Sequence, residues 1–536
     1  MVNYNSCLSI GLFLVAILNV SCHDKYEQEL FYKRKSFLTD ERSGAMGHRI
    51  LLNTFENKAN EILMRLKIEE LEEGFEDPTK FLPSKSFLEV ADKIKESKVF
   101  QLLKAMPKGA VLHGHCSAMV SGDFLYRLTY LKNLYVKIKG DNKLLEFKIS
   151  QTSPPNDTDA CIDCAWHNLQ GLRLTQGRRK VREWLMPQIG LNKKHADLDS
   201  NTVWKSFSVL FKLIAPLVSY MPAWWLTLYN TFKEYHEDNV SYMEIRSRFK
   251  DLYRLDGTKK EALDVVEYDK HILKVFRKHH PDFYGARFIY SPSRSLNATT
   301  FEPHINMISR LLEHHPDFVA GFDLVGHEDT RPTLQSLAGG LLKLKGETNF
   351  YFHAGETNWN GFKVDENLVD AILLGTKRIG HGYAIPKHPK VAQYVKQNKI
   401  GIELCPISHQ VLGLVKDLRN HPAASMFTED YPFVIAPDDP GFWGAKGVSY
   451  DWYEVFMGIA AKWQDLRFLK QLELNSIQQT SLSKNEKREL KKLWERKWGK
   501  FIMDVIKCNG HFPCGKSHVH HMPYPEVIEK PLDKKY

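Results

Sequence analysis

From residue 111 onward, short apolar runs recur along the chain, and each is followed by a longer stretch with helical spacing. The runs are Val111–His115, Ser241–Ile245, Ala286–Tyr290, Phe318–Leu324, Asn349–His353, Arg378–His381, Ile400–Cys405 and Phe433–Ala436. They are mostly apolar throughout rather than alternating, as strands buried on both faces of a parallel sheet are. Eight such strands alternating with helices predict an α/β fold, a (β/α)8 barrel of the TIM type, over 105–507.

The region before the barrel has a different pattern. Residues 23–104 are rich in charge and leucine, and Ile50, Leu51, Phe55, Ile62, Leu63 and Leu66 fall near one face of a helical segment over 46–73. An apolar stripe outside a barrel predicts an N-terminal helical dimerisation region. A long gap separates the first run from the second. Its part from about 128 to 187 holds Pro154-Pro155, Asn156, Cys161-Ile-Asp-Cys164 and Arg178-Arg179-Lys180. It reads as an insertion after the first strand, at the end of a barrel that carries active sites. From Cys508 to 536 the chain is rich in His, Pro and Lys without periodicity, which predicts a flexible tail rather than metal binding by His518, His520 and His521.

Residues 1–22 contain no Asp, Glu, Lys or Arg, and an apolar run from Leu8 to Val20 precedes Ser21 and Cys22. This predicts a secretory signal peptide cleaved near Cys22; the run is shorter than the ~20 residues of a spanning helix. Nothing later is long and apolar enough to span. A secreted, extracellular chain agrees with the glycan-acceptor triplets at Asn156, Asn239 and Asn297, where these are exposed. In that compartment Cys161 and Cys164 read as a disulfide or two loop thiols, and Cys508 and Cys514 as a pair.

Composition narrows the choice of partner. Hydrophobic residues make up 43%, which excludes wholesale disorder. The charge, 74 − 64 = +10, is spread over 536 residues. No nucleic-acid partner is expected from it; an anionic cell-surface glycosaminoglycan or a receptor is the alternative.

The chemistry stands at the strand ends. The first run ends in His113-Gly114-His115, the fifth in His353-Ala-Gly-Glu356, the sixth in His381-Gly382, and Asp438-Asp439 follows the eighth. Residues two apart on a strand share a face, so His113 and His115 form a natural chelate. A barrel brings these ends to one mouth, and imidazoles with one carboxylate suit zinc. Glu356, His381 and Asp439 are then acid and base groups beside the metal.

Met106-Pro-Lys-Gly with Leu112-His-Gly-His115, Phe352-His-Ala-Gly-Glu-Thr357, Arg378-Ile-Gly-His-Gly382, Glu403-Leu-Cys-Pro-Ile-Ser408 and Asp438-Asp-Pro440 resemble the motifs of adenosine deaminases. The signal peptide, the helical N-terminal region, the insertion, Gly321-Phe-Asp-Leu-Val-Gly-His-Glu-Asp329 and Asp417-Leu-Arg-Asn-His-Pro422 resemble the secreted branch, the adenosine-deaminase-related growth factors. The similarity runs from about residue 45 to 507.

The resemblance implies an extracellular zinc-dependent enzyme converting adenosine and 2′-deoxyadenosine to inosine and ammonia, with growth-factor activity through adenosine depletion and a homodimeric assembly. The alternative is a weakly active nucleoside- or receptor-binding growth factor. By resemblance, His113, His115, His353 and Asp438 hold one Zn2+ per chain. Glu356 protonates the purine at N1, and His381 and Asp439 orient the attacking water. The backbone N–H groups of Gly326 and Gly355 contact the purine, and Trp204 lies near the nucleoside. On the sugar side the family pattern is broken. Cys116 stands in place of Asp, Ser293 in place of His, His409 in place of Asn and Pro437 in place of Ser, and one cysteine of the family's disulfide is missing.

Overall fold

The structure, a computed structural model, describes residues 25–155, 161, 163–295 and 297–513. The signal peptide, Asn156, Cys514 with its pairing to Cys508, and the tail histidines lie outside the described residues.

Eight parallel strands form the barrel: β1 Ala110–Val111, β2 Tyr242–Ser247, β3 Gly285–Tyr290, β4 Val319–Phe322, β5 His353–Ala354, β6 Arg378–His381, β7 Gly401–Leu404 and β8 Phe433–Ile435. They pair in sequence as β1–β4 and β5–β8. Parallel bridges Phe322–Phe350 and Gly114–Asp438 join the two sets and close the ring. Each predicted run overlaps one of these strands, the first and fifth by a single residue. β2 and β3 are each one residue longer than their runs, whereas β1 is shorter because the end of its run leaves the ladder to face the barrel mouth. After Val111 the ladder gives way to single bridges at Gly114 and His115.

Nearly every strand residue is buried, on both faces. Charged side chains are buried among them: Glu244, Arg246, Arg378 and Glu403. After β1 and the short helix Gly122–Leu128 comes a three-stranded antiparallel sheet, with Leu134–Lys139 between Lys143–Ile149 and Cys164–Asn168. Cys161 and Cys164 are joined by a disulfide at its edge. Helices Ser200–Val218 and Met221–Glu237 then lead to β2.

The N-terminal stripe does not form as one surface. Asn53 caps the helix Thr54–Glu76, accepting from the N–H groups of Phe55 and Glu56 while Glu56 reaches back to Asn53. Ile50 and Leu51 therefore precede the helix. Leu63 and Leu66 are buried within the chain's own core, and Ile62 and Leu66 lie beside Gly510. Glu56 ties this helix to the barrel through Lys470 (2.5 Å) and the Trp498 indole (2.7 Å). Leu51 and Phe55 of the stripe are exposed, and further exposed apolar side chains sit on a helix over 25–43, at Tyr26, Leu30, Phe31, Tyr32 and Phe37. Asn239 is half-buried, and its amide donates to the Lys104 carbonyl. Asn297 is exposed and caps the helix Ala298–His314.

Candidate active site

His113 and His115 follow β1, His353 opens β5, and Asp438 lies just past β8. Ligand atoms of these four residues all lie within 4.8 Å of one another. The Nε2 atoms of His113 and His115 are 3.1 and 3.0 Å from Asp438 Oδ1, and Asp438 Oδ2 accepts from the Ser408 hydroxyl at 2.8 Å. Asp438 and His381 both adopt left-handed backbone, φ 60° and 64°. Only a surrounding structure that over-determines such residues keeps them there, and such positions cluster at functional sites.

A second layer of charge aims the rings. His113 Nδ1 is 2.7 Å from Glu403 Oε2, and His353 Nδ1 is 2.6 Å from Asp323 Oδ2. A carboxylate on Nδ1 leaves Nε2 facing inward. Arg246 links the two carboxylates, with Nε 2.7 Å from Asp323 and Nη2 2.8 Å from Glu403. Arg378 donates to Glu403 at 2.6 Å and pairs with Glu244 at 2.8 Å. Burial works against the ionised form of Glu403, but Arg246 and Arg378 hold it well below the usual carboxylate range. Asp323 is likewise held low, against burial, by His353 and Arg246. Burial pushes His353 down to about 3 and also lowers His115. His113 goes the other way: against burial and Arg246, its hydrogen bonds to Asp438 and Glu403 hold it up, so a metal would have to displace a proton there. Three imidazoles and one carboxylate nevertheless fit zinc.

Glu356 sits on a turn fixed by Glu328, whose carboxylate accepts the N–H groups of Gly355 (3.1 Å) and Glu356 (2.7 Å). Burial first, then Asp438 and Glu328, push the Glu356 carboxyl well above its ordinary range. That shift favours the protonated form, the form a proton donor needs. Its Oε1 is 3.6 Å from His381 Nε2.

A chain of imidazoles sets the tautomer of His381. The Ala423 N–H donates to His421 Nδ1 at 3.1 Å, which leaves the His421 proton on Nε2. That proton is donated to His409 Nδ1 (2.8 Å), and His409 Nε2–H in turn to His381 Nδ1 (3.0 Å). His381 consequently presents Nε2–H to the cavity. Burial keeps all three rings neutral. Asp439 Oδ1 is buried without a hydrogen-bond partner among the described residues, and burial with Asp438 nearby raises its carboxyl.

A cavity of about 550 Å³ runs outward from these groups and is lined by Cys116, Trp204, Ser293 and Gly326. Trp204 stacks on His327 at 4.5 Å and 9°. Gly326, at φ 113°, leaves its backbone open to close approach. Gly355 departs from expectation. Its N–H is consumed by Glu328, and it packs against Leu368 away from the cavity lining, so it is not free to contact a purine. Burial pushes the Cys116 thiol up to about 12, so it stays neutral. The Ser293 hydroxyl is 3.0 Å from that of Ser295.

Sequence reasoning missed the roles of Asp323, Glu328, Arg246, Arg378 and Glu403. For Asp323, Arg378 and Glu403 the signal is charge within otherwise apolar strand runs, where a lone ionised group is too costly to bury unpaired; Arg246 lies just past its run and Glu328 in a turn beyond one.

Comparison with known proteins gives concordant results. The family described as "Adenosine deaminase" matches residues 186–496, and "Adenosine/AMP deaminase N-terminal" matches 11–103. An adenosine deaminase of Phlebotomus duboscqi is 42% identical over 493 residues, covering 91% of this chain and 94% of that protein. Adenosine deaminase 2 of Homo sapiens is 39% identical over 480 residues, covering 88% and 93%. Among solved structures, a zinc-bound amidohydrolase of Burkholderia ambifaria shares the fold with a TM-score of 0.54 at 17% identity, covering 76% of this chain and 95% of that one. The N6-methyl-AMP deaminase of Arabidopsis thaliana shares it with a TM-score of 0.51 at 15% identity, covering 74% and 98%.

Proposed function

The chain belongs to the adenosine deaminase family, and from that premise we propose that it is a zinc-dependent aminohydrolase converting adenosine and 2′-deoxyadenosine to inosine and ammonia. The observation that carries the proposal is the convergence of His113, His115, His353 and Asp438 beside the buried Glu356. Zinc bound by these four would supply Lewis-acid activation of the attacking water. Glu356 gives its proton to N1 of the ring and makes C6 electrophilic. His381 Nε2–H fixes the position of the water oxygen, and Asp439, through its unpartnered Oδ1, accepts from the water. Oxygen bonds to C6, one proton of the water passes by way of Asp439 to N6, the C6–N6 bond breaks and ammonia leaves; the second water proton is released as the C6 carbonyl forms and restores Glu356.

The proposed setting is extracellular. Its support is the apolar N-terminal run of the sequence and the absence, among the described residues, of a helix long and apolar enough to cross a membrane. A homodimer through the exposed apolar side chains of the helix over 25–43, and growth-factor activity through adenosine depletion, belong to the same proposal. A second reading, a nucleoside- or receptor-binding growth factor with little turnover, is favoured by Cys116 and Ser293 on the sugar side. The deciding assay is the fall in adenine-band absorbance when purified protein meets adenosine. Turnover that a chelator abolishes and zinc restores is expected; no turnover with zinc bound selects the second reading.

A further inference from the structure

The outer end of the cavity is cationic. Lys212 from the helix Ser200–Val218, Arg248 and Lys250 after β2, and Arg331 beyond β4 all line it, and all are exposed. Among the described residues, no hydrogen bond or ion pair engages any of these four side chains. The carboxylates that line the cavity are Glu356, Asp438 and Asp439, all at the inner end. Lys250 is held below its ordinary range by burial and by the charge of neighbouring Arg248, so the two cations feel each other.

Elsewhere in the barrel the cations are countered. Arg246 has Asp323 and Glu403, Arg378 has Glu244 and Glu403, and Arg294 has Glu328 at 3.7 Å. Four like charges around one concavity repel one another and concentrate anions there. A neutral sugar offers them nothing, and no carboxylate stands among the residues lining this end of the cavity. The volume, about 550 Å³, lies within the ~300–1,000 Å³ of small-molecule sites, and Trp204, Phe207 and Phe211 supply an apolar wall between the ends.

We propose that the site takes purine nucleotides in addition to nucleosides: a purine nucleoside whose phosphate, beyond the sugar, is held by Arg248 and Lys250, with Lys212 and Arg331 drawing it in. This rests on the deaminase reading of the inner end. The reaction is unchanged: water adds at C6, ammonia leaves, and the phosphate is neither made nor broken.

The test measures binding of products, which needs no turnover. Inosine 5′-monophosphate and inosine are titrated calorimetrically into the full-length, zinc-loaded protein. The nucleotide is expected to bind roughly 30-fold tighter at low ionic strength, as charge-assisted contacts to phosphate require. The ratio shrinks as salt rises. In the double variant Arg248→Ala, Lys250→Ala it falls below about 3. Both side chains are exposed, so the variant should fold. A nucleotide that binds no tighter than inosine, including no binding of either, overturns the inference, as does a ratio that survives the double substitution. Adenosine turnover is scored separately. Turnover without the affinity ratio sinks only the nucleotide inference, and the ratio without turnover of adenosine or its 5′-monophosphate sinks only the deaminase reading.

Discussion

At the inner end of the cavity, charge is answered by charge. Arg246 lies between Asp323 and Glu403, Arg378 between Glu403 and Glu244, and the two histidines that Glu403 and Asp323 aim converge with Asp438. At the outer end, Lys212, Arg248, Lys250 and Arg331 have no such partners among the described residues. The first end is rigid because a buried charge without a partner costs several kcal/mol. The second keeps its charges solvated and open to a ligand. One cavity thus joins a reaction floor fixed by the fold to a mouth that selects what enters.

The inner end should fail steeply. His113→Ala removes a ligand, and both bound metal and turnover should be lost; a variant that keeps stoichiometric zinc on metal analysis contradicts the assignment. Glu356→Gln should keep zinc and fold yet lose activity toward the upper end of the ~10²–10⁴-fold range of general acids, read from kcat. Near-normal kcat would reduce Glu356 to a turn residue. Asp323→Asn leaves the rings and ligands in place but loosens His353 and strips Arg246 of a counter-ion. Zinc affinity should drop about 10–100-fold in chelator competition. Stability should fall by about 3–5 kcal/mol in denaturant melts.

The outer end should respond mildly and in the opposite sense. Cys116→Asp restores a charged acceptor for a sugar hydroxyl, worth ~1.5–3 kcal/mol, so KM for adenosine should fall at least about 10-fold with zinc retained. An unchanged KM means that this end does not read the sugar at all. The smallest effect belongs to the imidazole chain. His409→Asn keeps a donor and an acceptor beside His381 and should change kcat only a few-fold, about 1 kcal/mol, with KM unmoved. A loss of ~10²-fold would instead make His409 part of proton transfer.

Much of this molecule was legible from local pattern. Apolar runs of strand length specify β1 to β8 because each must be buried on both faces, and the histidines and aspartates closing those runs fall at the barrel mouth by topology alone. That His113, His115, His353 and Asp438 come together follows from this placement, whereas their selection as one set came from the family resemblance. What tertiary structure alone decided involves pairs distant in sequence. Arg246 meets Glu403, Asp323 meets His353, and His421 sets the tautomer of His381 through His409. Glu328 takes the N–H that Gly355 was expected to offer a purine, and Gly510 sits beside Ile62 and Leu66 of the N-terminal helix. The four mouth cations come from three separate segments of the chain. Hydrophobic periodicity encodes which face of an element is buried; it does not encode which polar group on another element meets it. That is fixed only when the barrel closes and each buried charge must find its counter-ion.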